Sequence, residues 1–172
     1  MSHGHTPVVY VVDSDASVRR ALGRLISSVR LEEKAFGTAR EFLQWQRPDL
    51  PSCLILDVRL TDLNGLNLQS QLADAGDHIP VIFVTACGDV STSVQAMKAG
   101  AIDFLTKPYR DQDVLDAINL ALERDRARRS HEFEIGELRR RFRSLTRRER
   151  DVITMVASGV LNKNIGHCLG VC

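Results

Sequence analysis

Short apolar runs alternating with amphipathic segments predict an α/β fold, a parallel sheet covered by helices on both faces. Three observations carry this expectation. Four runs rich in Val, Ile and Leu (Pro7–Val12, Cys53–Leu56, Ile79–Val84 and Ala101–Leu105) have the length and continuity of strands buried on both sides. Between them, apolar residues recur at helical spacing. Each run also stops abruptly at polar residues, namely Asp13, Asp57, Thr85 and the Thr106-Lys107 pair.

Taken in order, Pro7–Val12 is a strand that turns at Asp13-Ser14-Asp15. Val18, Leu22, Leu25 and Ile26 give the next helix its apolar face. A more polar strand covers Leu31–Phe36, and a short helix Ala39–Trp45. Pro48 and Pro51 break the chain before the strand at Cys53–Leu56. Asn64-Gly65 marks a turn into a helix through Leu66–Ala73. After Ile79–Val84, Gly88-Asp89 leads into a helix carrying Val94 and Met97, with Gly100 at its C-terminal cap. Ala101–Leu105 completes five strands, and helix resumes near Asp111. Five strands in about 120 residues suit a flavodoxin-like five-stranded parallel sheet of order 2-1-3-4-5.

Beyond Leu115 the helical pattern meets no stop signal. Ile118 and Leu122 close the core face, and Glu123–Glu132 offers no large apolar residue, which predicts a solvated helix or linker. Asp125/Arg129 and Glu137/Arg141 are spaced as i,i+4 ion pairs. Phe133, Leu138, Phe142 and Leu145 resume an apolar stripe that Gly136 weakens by roughly 1 kcal/mol relative to Ala. Thr146-Arg147-Arg148-Glu149 is a capping box opening a helix with Val152, Ile153 and Val156 on one face. Gly159 ends it, and Asn162 opens a short helix with Ile165 and Leu169, closed by Gly170. The expected division is therefore a domain over 1–122, a helical linker over 123–144 and a further module over 145–172.

Charge supports the division. Residues 1–122 hold 11 Lys or Arg against 15 Asp or Glu, and residues 123–172 hold 12 against 7. An acidic body thus precedes a basic tail suited to nucleic acid. At 44% apolar and 26% charged residues the chain is not a disordered one. No apolar run reaches the ~18 residues that span a bilayer, and no secretory signal is visible at Met1–Pro7. Cys53, Cys87, Cys168 and Cys172 form no metal-finger spacing, and Cys87 has no partner that would activate it. A cytoplasmic location without membrane contact is expected.

In open α/β sheets, ligands bind beyond the carboxyl ends of the strands. Asp13, Asp57, Thr85 and Lys107 should therefore share one rim. Two adjacent carboxylates invite a divalent cation such as Mg²⁺. A carboxylate can attack phosphorus to give an acyl phosphate, while a lysine and a hydroxyl hold phosphoryl oxygens. This rim reads as phosphoryl transfer onto Asp57.

The strings V-V-D-x-D, L-I-L-D-V-R-L, F-V-T-A and M-K-A-G-A-I-D-F-L-T-K-P resemble the receiver domain of two-component response regulators. Residues 145–172 resemble the first half of a LuxR-type helix-turn-helix, and the combination is similar to the FixJ/NarL class of transcription regulators. The resemblance implies that Asp57 accepts phosphate from a sensor histidine kinase. It implies that Asp13, Asp57 and the Arg59 backbone carbonyl hold Mg²⁺, with Lys107 pairing the phosphate. It implies that Thr85 and Phe104 form the switch, and that a cis bond precedes Pro108. It further implies homodimerisation on phosphorylation through the fourth helix, fifth strand and fifth helix. Such a protein is a regulator, not an enzyme; its only chemistry is accepting the phosphoryl group and slowly releasing it.

One departure stands out. The family has two adjacent acids where this chain has Asp13-Ser14. Ser14 or Asp15 is the further candidate ligand, and loss of a carboxylate should weaken Mg²⁺ binding. Arg147, Arg148 and Lys163 are the candidate DNA-contacting residues. A helix-turn-helix reads bases with its second helix. The sequence stops at Cys172, where that helix should begin, so weak or absent sequence-specific DNA binding is expected. Two alternatives remain open here. Asp13-Ser14-Asp15-Ala16-Ser17 fits the start of a haloacid-dehalogenase-type phosphohydrolase, with Asp13 as nucleophile. Ser14 also makes a phosphate-independent receiver conceivable.

Overall fold

The computed structural model describes residues 6–86 and 88–158. The elements are β1 (Val8–Val12), α1 (Ala16–Ser28), β2 (Glu32–Phe36), α2 (Ala39–Gln44), β3 (Ser52–Leu56) and α3 (Gly65–Asp74). They continue with β4 (Val81–Thr85), α4 (Val90–Lys98), β5 (Asp103–Thr106), α5 (Asp111–Ser144) and α6 (Arg147–Ala157). The strands form one parallel sheet in the order β2-β1-β3-β4-β5, the flavodoxin-like order expected from the sequence.

The sheet has two cores because its side chains alternate. Tyr10, Leu54, Leu56 and Phe83 pack on one face with Phe42 of α2 and Leu68 of α3. Val9, Val11, Ile55 and Ile82 pack on the other with Leu22 and Ile26 of α1 and Ile118 of α5. β1, β3 and β4 are buried along their whole length, which is why they read as continuous apolar runs. Among the described residues β2 pairs only with β1, forms one margin of the sheet and exposes most of its residues.

Element ends are set by local chemistry. Asp15, Thr38, Asn64 and Asp89 are N-caps whose side chains accept backbone amides of α1, α2, α3 and α4. α4 closes in a Schellman motif: Gly100 has φ +89°, its N–H donates to Met97 O, and Ala101 N–H donates to Ala96 O. Ala101 therefore belongs to this cap, Ile102 N–H donates to Val81 O at the start of β4, and β5 starts at Asp103 rather than Ala101. β4 likewise starts at Val81, since Pro80 lacks an N–H for the ladder.

The segment Glu123–Glu132 is a largely solvated helix, as expected, with one exception. Asp125 is 1% exposed. Its carboxylate accepts Ser52 N–H at 3.0 Å, and pairs with Arg128 at 2.6 Å and Arg129 at 2.7 Å. A paired acid occupies a place on the helix face that apolar periodicity assigns to a hydrophobe. The first compact unit accordingly runs to Arg129 rather than to Leu122.

The second unit begins at Ser130. Within it, Glu137 pairs with Arg140 at 2.7 Å rather than with Arg141. The capping box at Thr146 and Glu149 forms as read, with Glu149 accepting Thr146 N–H and Thr146 Oγ accepting Glu149 N–H. Hydrogen bonds from the Thr146 backbone, then from its hydroxyl, hold the Glu149 carboxyl below its ordinary range. The features read at Gly159, Asn162, Ile165, Leu169 and Gly170 lie outside the described residues. No helix among the described residues is long and apolar enough to cross a membrane.

Candidate functional site

The parallel strands deliver four polar groups to one end of the sheet. Asp13 follows β1, Asp57 follows β3, Thr85 ends β4 and Lys107 follows β5. Asp13 and Thr85 are almost fully buried and Asp57 nearly so. Lys107 Nζ joins the two acids, at 2.6 Å from Asp13 Oδ2 and 3.2 Å from Asp57 Oδ2. Burial works against the ammonium charge. The hydrogen bond and charge of Asp13, followed by those of Asp57, outweigh it and raise the Lys107 pKa.

Each acid is aimed by its own backbone turn. Asp13 Oδ1 accepts Asp15 N–H at 2.8 Å, and Asp57 Oδ1 accepts Arg59 N–H at 3.1 Å. Asp57 N–H continues the β1–β3 ladder by donating to Val12 O at 2.9 Å. Lys107 is placed similarly, its N–H donating to Thr85 O at 2.8 Å. The Lys107–Pro108 bond is cis. Two carboxylates facing one ammonium leave the buried rim with an excess negative charge and only hard oxygen donors. That donor set fits a hard divalent cation.

The remaining predicted residues fall as follows. Asp15 caps α1 through Oδ1, which accepts Ser17 N–H at 2.7 Å and Ser17 Oγ–H at 2.6 Å. The bond from the Ser17 hydroxyl, then that from its amide, holds the Asp15 carboxyl below its ordinary range. Ser14 is exposed beside the rim. Phe104 is half-buried, with its ring centroid 5.9 Å from that of Phe83. Arg147 and Arg148 are exposed in the first turn of α6, away from this rim in sequence and in a separate unit. Cys87 and Lys163 lie outside the described residues.

A family model described as the response regulator receiver domain matches residues 9–119. The chain belongs to the response regulator receiver family. The matched span contains all four rim residues of this receiver. Nodulation protein W of Bradyrhizobium diazoefficiens is 49% identical over 173 residues, covering 98% of this chain and 76% of that protein. Transcriptional regulatory protein FixJ of Azorhizobium caulinodans is 36% identical, covering 95% and 77%. Among solved structures, response regulator StyR superposes with a TM-score of 0.87 at 42% identity, covering 98% of this chain and 85% of that one.

Three receiver residues escaped the sequence reading. Gly65 reads as a turn residue, yet a Cβ there would lie 2.4 Å from Asp57 O. Gly88 abuts the switch candidate, since its Cβ would lie 2.7 Å from Phe104 Cε1. Asp62 carries no local signal because its hydrogen-bond partners stand 22 and 23 residues away.

Proposed function

We propose that this receiver is a phosphorylation-activated transcription regulator of a two-component system, and that Asp57 is its phosphoacceptor. The observation that carries this is the buried Asp13–Lys107–Asp57 bridge at the strand ends. Asp57 attacks the phosphorus of a phosphohistidine on a sensor kinase. The P–N bond breaks, the imidazole leaves, and an acyl phosphate forms on Asp57 Oδ. Lys107 moves its ion pair from the carboxylate to the phosphoryl oxygens. Asp13, Asp57 and the Arg59 carbonyl would hold Mg²⁺, which when bound supplies countercharge to the phosphoryl oxygens. Ser14 contributes no charge to this set, so the affinity is reduced relative to a Ser14→Asp variant.

Thr85 reaches the acyl phosphate and Phe104 follows inward, against Phe83. That change reshapes α4, β5 and α5, where Val90 stands 80% exposed and Val94 and Met97 are also open to solvent. A second copy covers this face in the phosphorylated homodimer. Arg147 and Arg148 sit where the positive end of the α6 dipole disfavours cations, which suits them to an anionic partner. With Lys163 they serve promoter DNA in a LuxR-type helix-turn-helix. The names of the relatives, transcriptional regulators among them, agree with this output.

No observation favours the phosphohydrolase alternative: Asp15, which would be its general acid, is exposed and caps α1 through Oδ1. The decisive measurement is intact mass after incubation with acetyl phosphate and Mg²⁺. One phosphoryl group is expected on the wild type and none on Asp57→Ala. Equal incorporation in both would sink the assignment.

A further inference from the structure

The loop that follows the phosphoacceptor is tied to a helix that takes no part in the rim. Asp62, in that loop, accepts Ala39 N–H on Oδ1 at 3.1 Å and Arg40 N–H on Oδ2 at 3.0 Å. These are the first two amides of α2, and a helix leaves its first four without partners of its own. Thr38 serves another, its Oγ accepting Glu41 N–H at 3.2 Å. α2 has six residues and buries only Ala39 and Phe42, so its entry depends on both caps. Slight burial works against ionisation of Asp62, but the Arg40 and Ala39 amides hold its carboxyl below its ordinary range.

Seen from the other side, the loop is pinned at its base. Gly65 N–H donates to Val58 O at 2.8 Å, and Arg59 bridges Asn64 in an antiparallel pair. The same Arg59 offers its N–H to Asp57 Oδ1. Asp62 itself is exposed, so its place is fixed by its two hydrogen bonds rather than by packing. The base of the loop aims the acid, and the tip fastens the loop to α2.

We propose that Asp62 is a positioning residue: by clamping the 57–65 loop to the start of α2, it holds the Arg59 backbone against the Asp57 carboxylate. The inference deepens the receiver reading, on which its Mg²⁺ and phosphorylation consequences rest. It also separates Asp62 from Thr38. Both residues cap α2, but of the two only Asp62 belongs to the loop; Leu60 and Leu63 of the loop also pack against the core that holds Ala39 and Phe42, and substituting either cap does not touch that packing.

The test compares Asp62→Ala, Asp62→Asn and Thr38→Ala in the full chain. Amide hydrogen exchange at Arg59, followed by NMR without metal or phosphate, reads the clamp directly. Asp62→Ala should accelerate it by about tenfold, Asp62→Asn by less because one acceptor oxygen remains, and Thr38→Ala should leave it unchanged. Calorimetric Mg²⁺ titration should show the dissociation constant rising about tenfold in Asp62→Ala and staying within about twofold of wild type in Thr38→Ala. Unchanged Arg59 exchange in Asp62→Ala would overturn the clamp. So would equal acceleration in Thr38→Ala, which would mean that Asp62 acts only through the stability of α2. Wild-type protein that binds no Mg²⁺ and takes up no phosphate would instead defeat the receiver reading, while the exchange result at Arg59 still decides the clamp.

Discussion

At the scale of single residues, the site depends on what each side chain leaves room for as much as on what it bonds. Gly65 shows this most sharply. A methyl group there would lie 2.4 Å from Asp57 O and 3.1 Å from Val58 Cα, both backbone atoms that cannot rotate away. Gly65→Ala should therefore cost about 2 kcal/mol or more by urea denaturation, from overpacking against rigid neighbours. Phosphate uptake should fall with it, because the carbonyl that must move belongs to Asp57. The rim was legible in the sequence residue by residue, since Asp13, Asp57, Thr85 and Lys107 each punctuate an apolar run. The Gly65 contact was not legible, because it depends on a close approach between backbones that a turn signal does not encode.

At the scale of elements, α5 shows both what periodicity captures and what it misses. Its apolar face at Ile118 and Leu122 was plain, and the ion pair between Asp125 and Arg129 was plain from spacing. That Asp125 would be buried was not plain, because its third partner, Ser52 N–H, lies 73 residues away. Burial works against this carboxylate, while Arg128, Arg129 and the Ser52 amide together lower its pKa. An acid with a lowered folded pKa contributes stability that is fully present above its unfolded value of about 3.9 and is lost as pH falls through the folded value. Asp125→Asn should thus remove part of the acid limb of the stability profile, measured as urea midpoints from neutral pH downward. Gly136, further along α5, has open space beside it, and a Cβ there would meet no atom within 4 Å outside its own helix backbone. Gly136→Ala should stabilise that stretch by about 1 kcal/mol, seen as slower amide exchange between Phe133 and Arg140.

At the scale of the whole molecule, the parallel sheet and the basic tail were readable from pattern and charge; the strand order was a choice among the orders such a sheet permits, and the limit of the first unit was not legible. The expected boundary at Leu122 followed the last large apolar residue, whereas the first compact unit extends to Arg129, the ion-pair partner of Asp125. A fragment ending at Arg129 should unfold cooperatively. One ending at Leu122 loses Asp125 with both its arginines and leaves the Ser52 N–H without its acceptor, so it should be less stable by about 1–3 kcal/mol. Chemical denaturation of the two fragments side by side measures the difference. The margin of the sheet carries a last consequence. β2 runs Glu32-Glu33-Lys34-Ala35-Phe36 and, among the described residues, has a partner on one side only. A strand arriving from another molecule would have to lie beside three consecutive charges and strip them of water. The open edge thus protects itself against fibre-like addition, and the same residues that made β2 the least strand-like run in the sequence keep concentrated protein from fusing sheet to sheet.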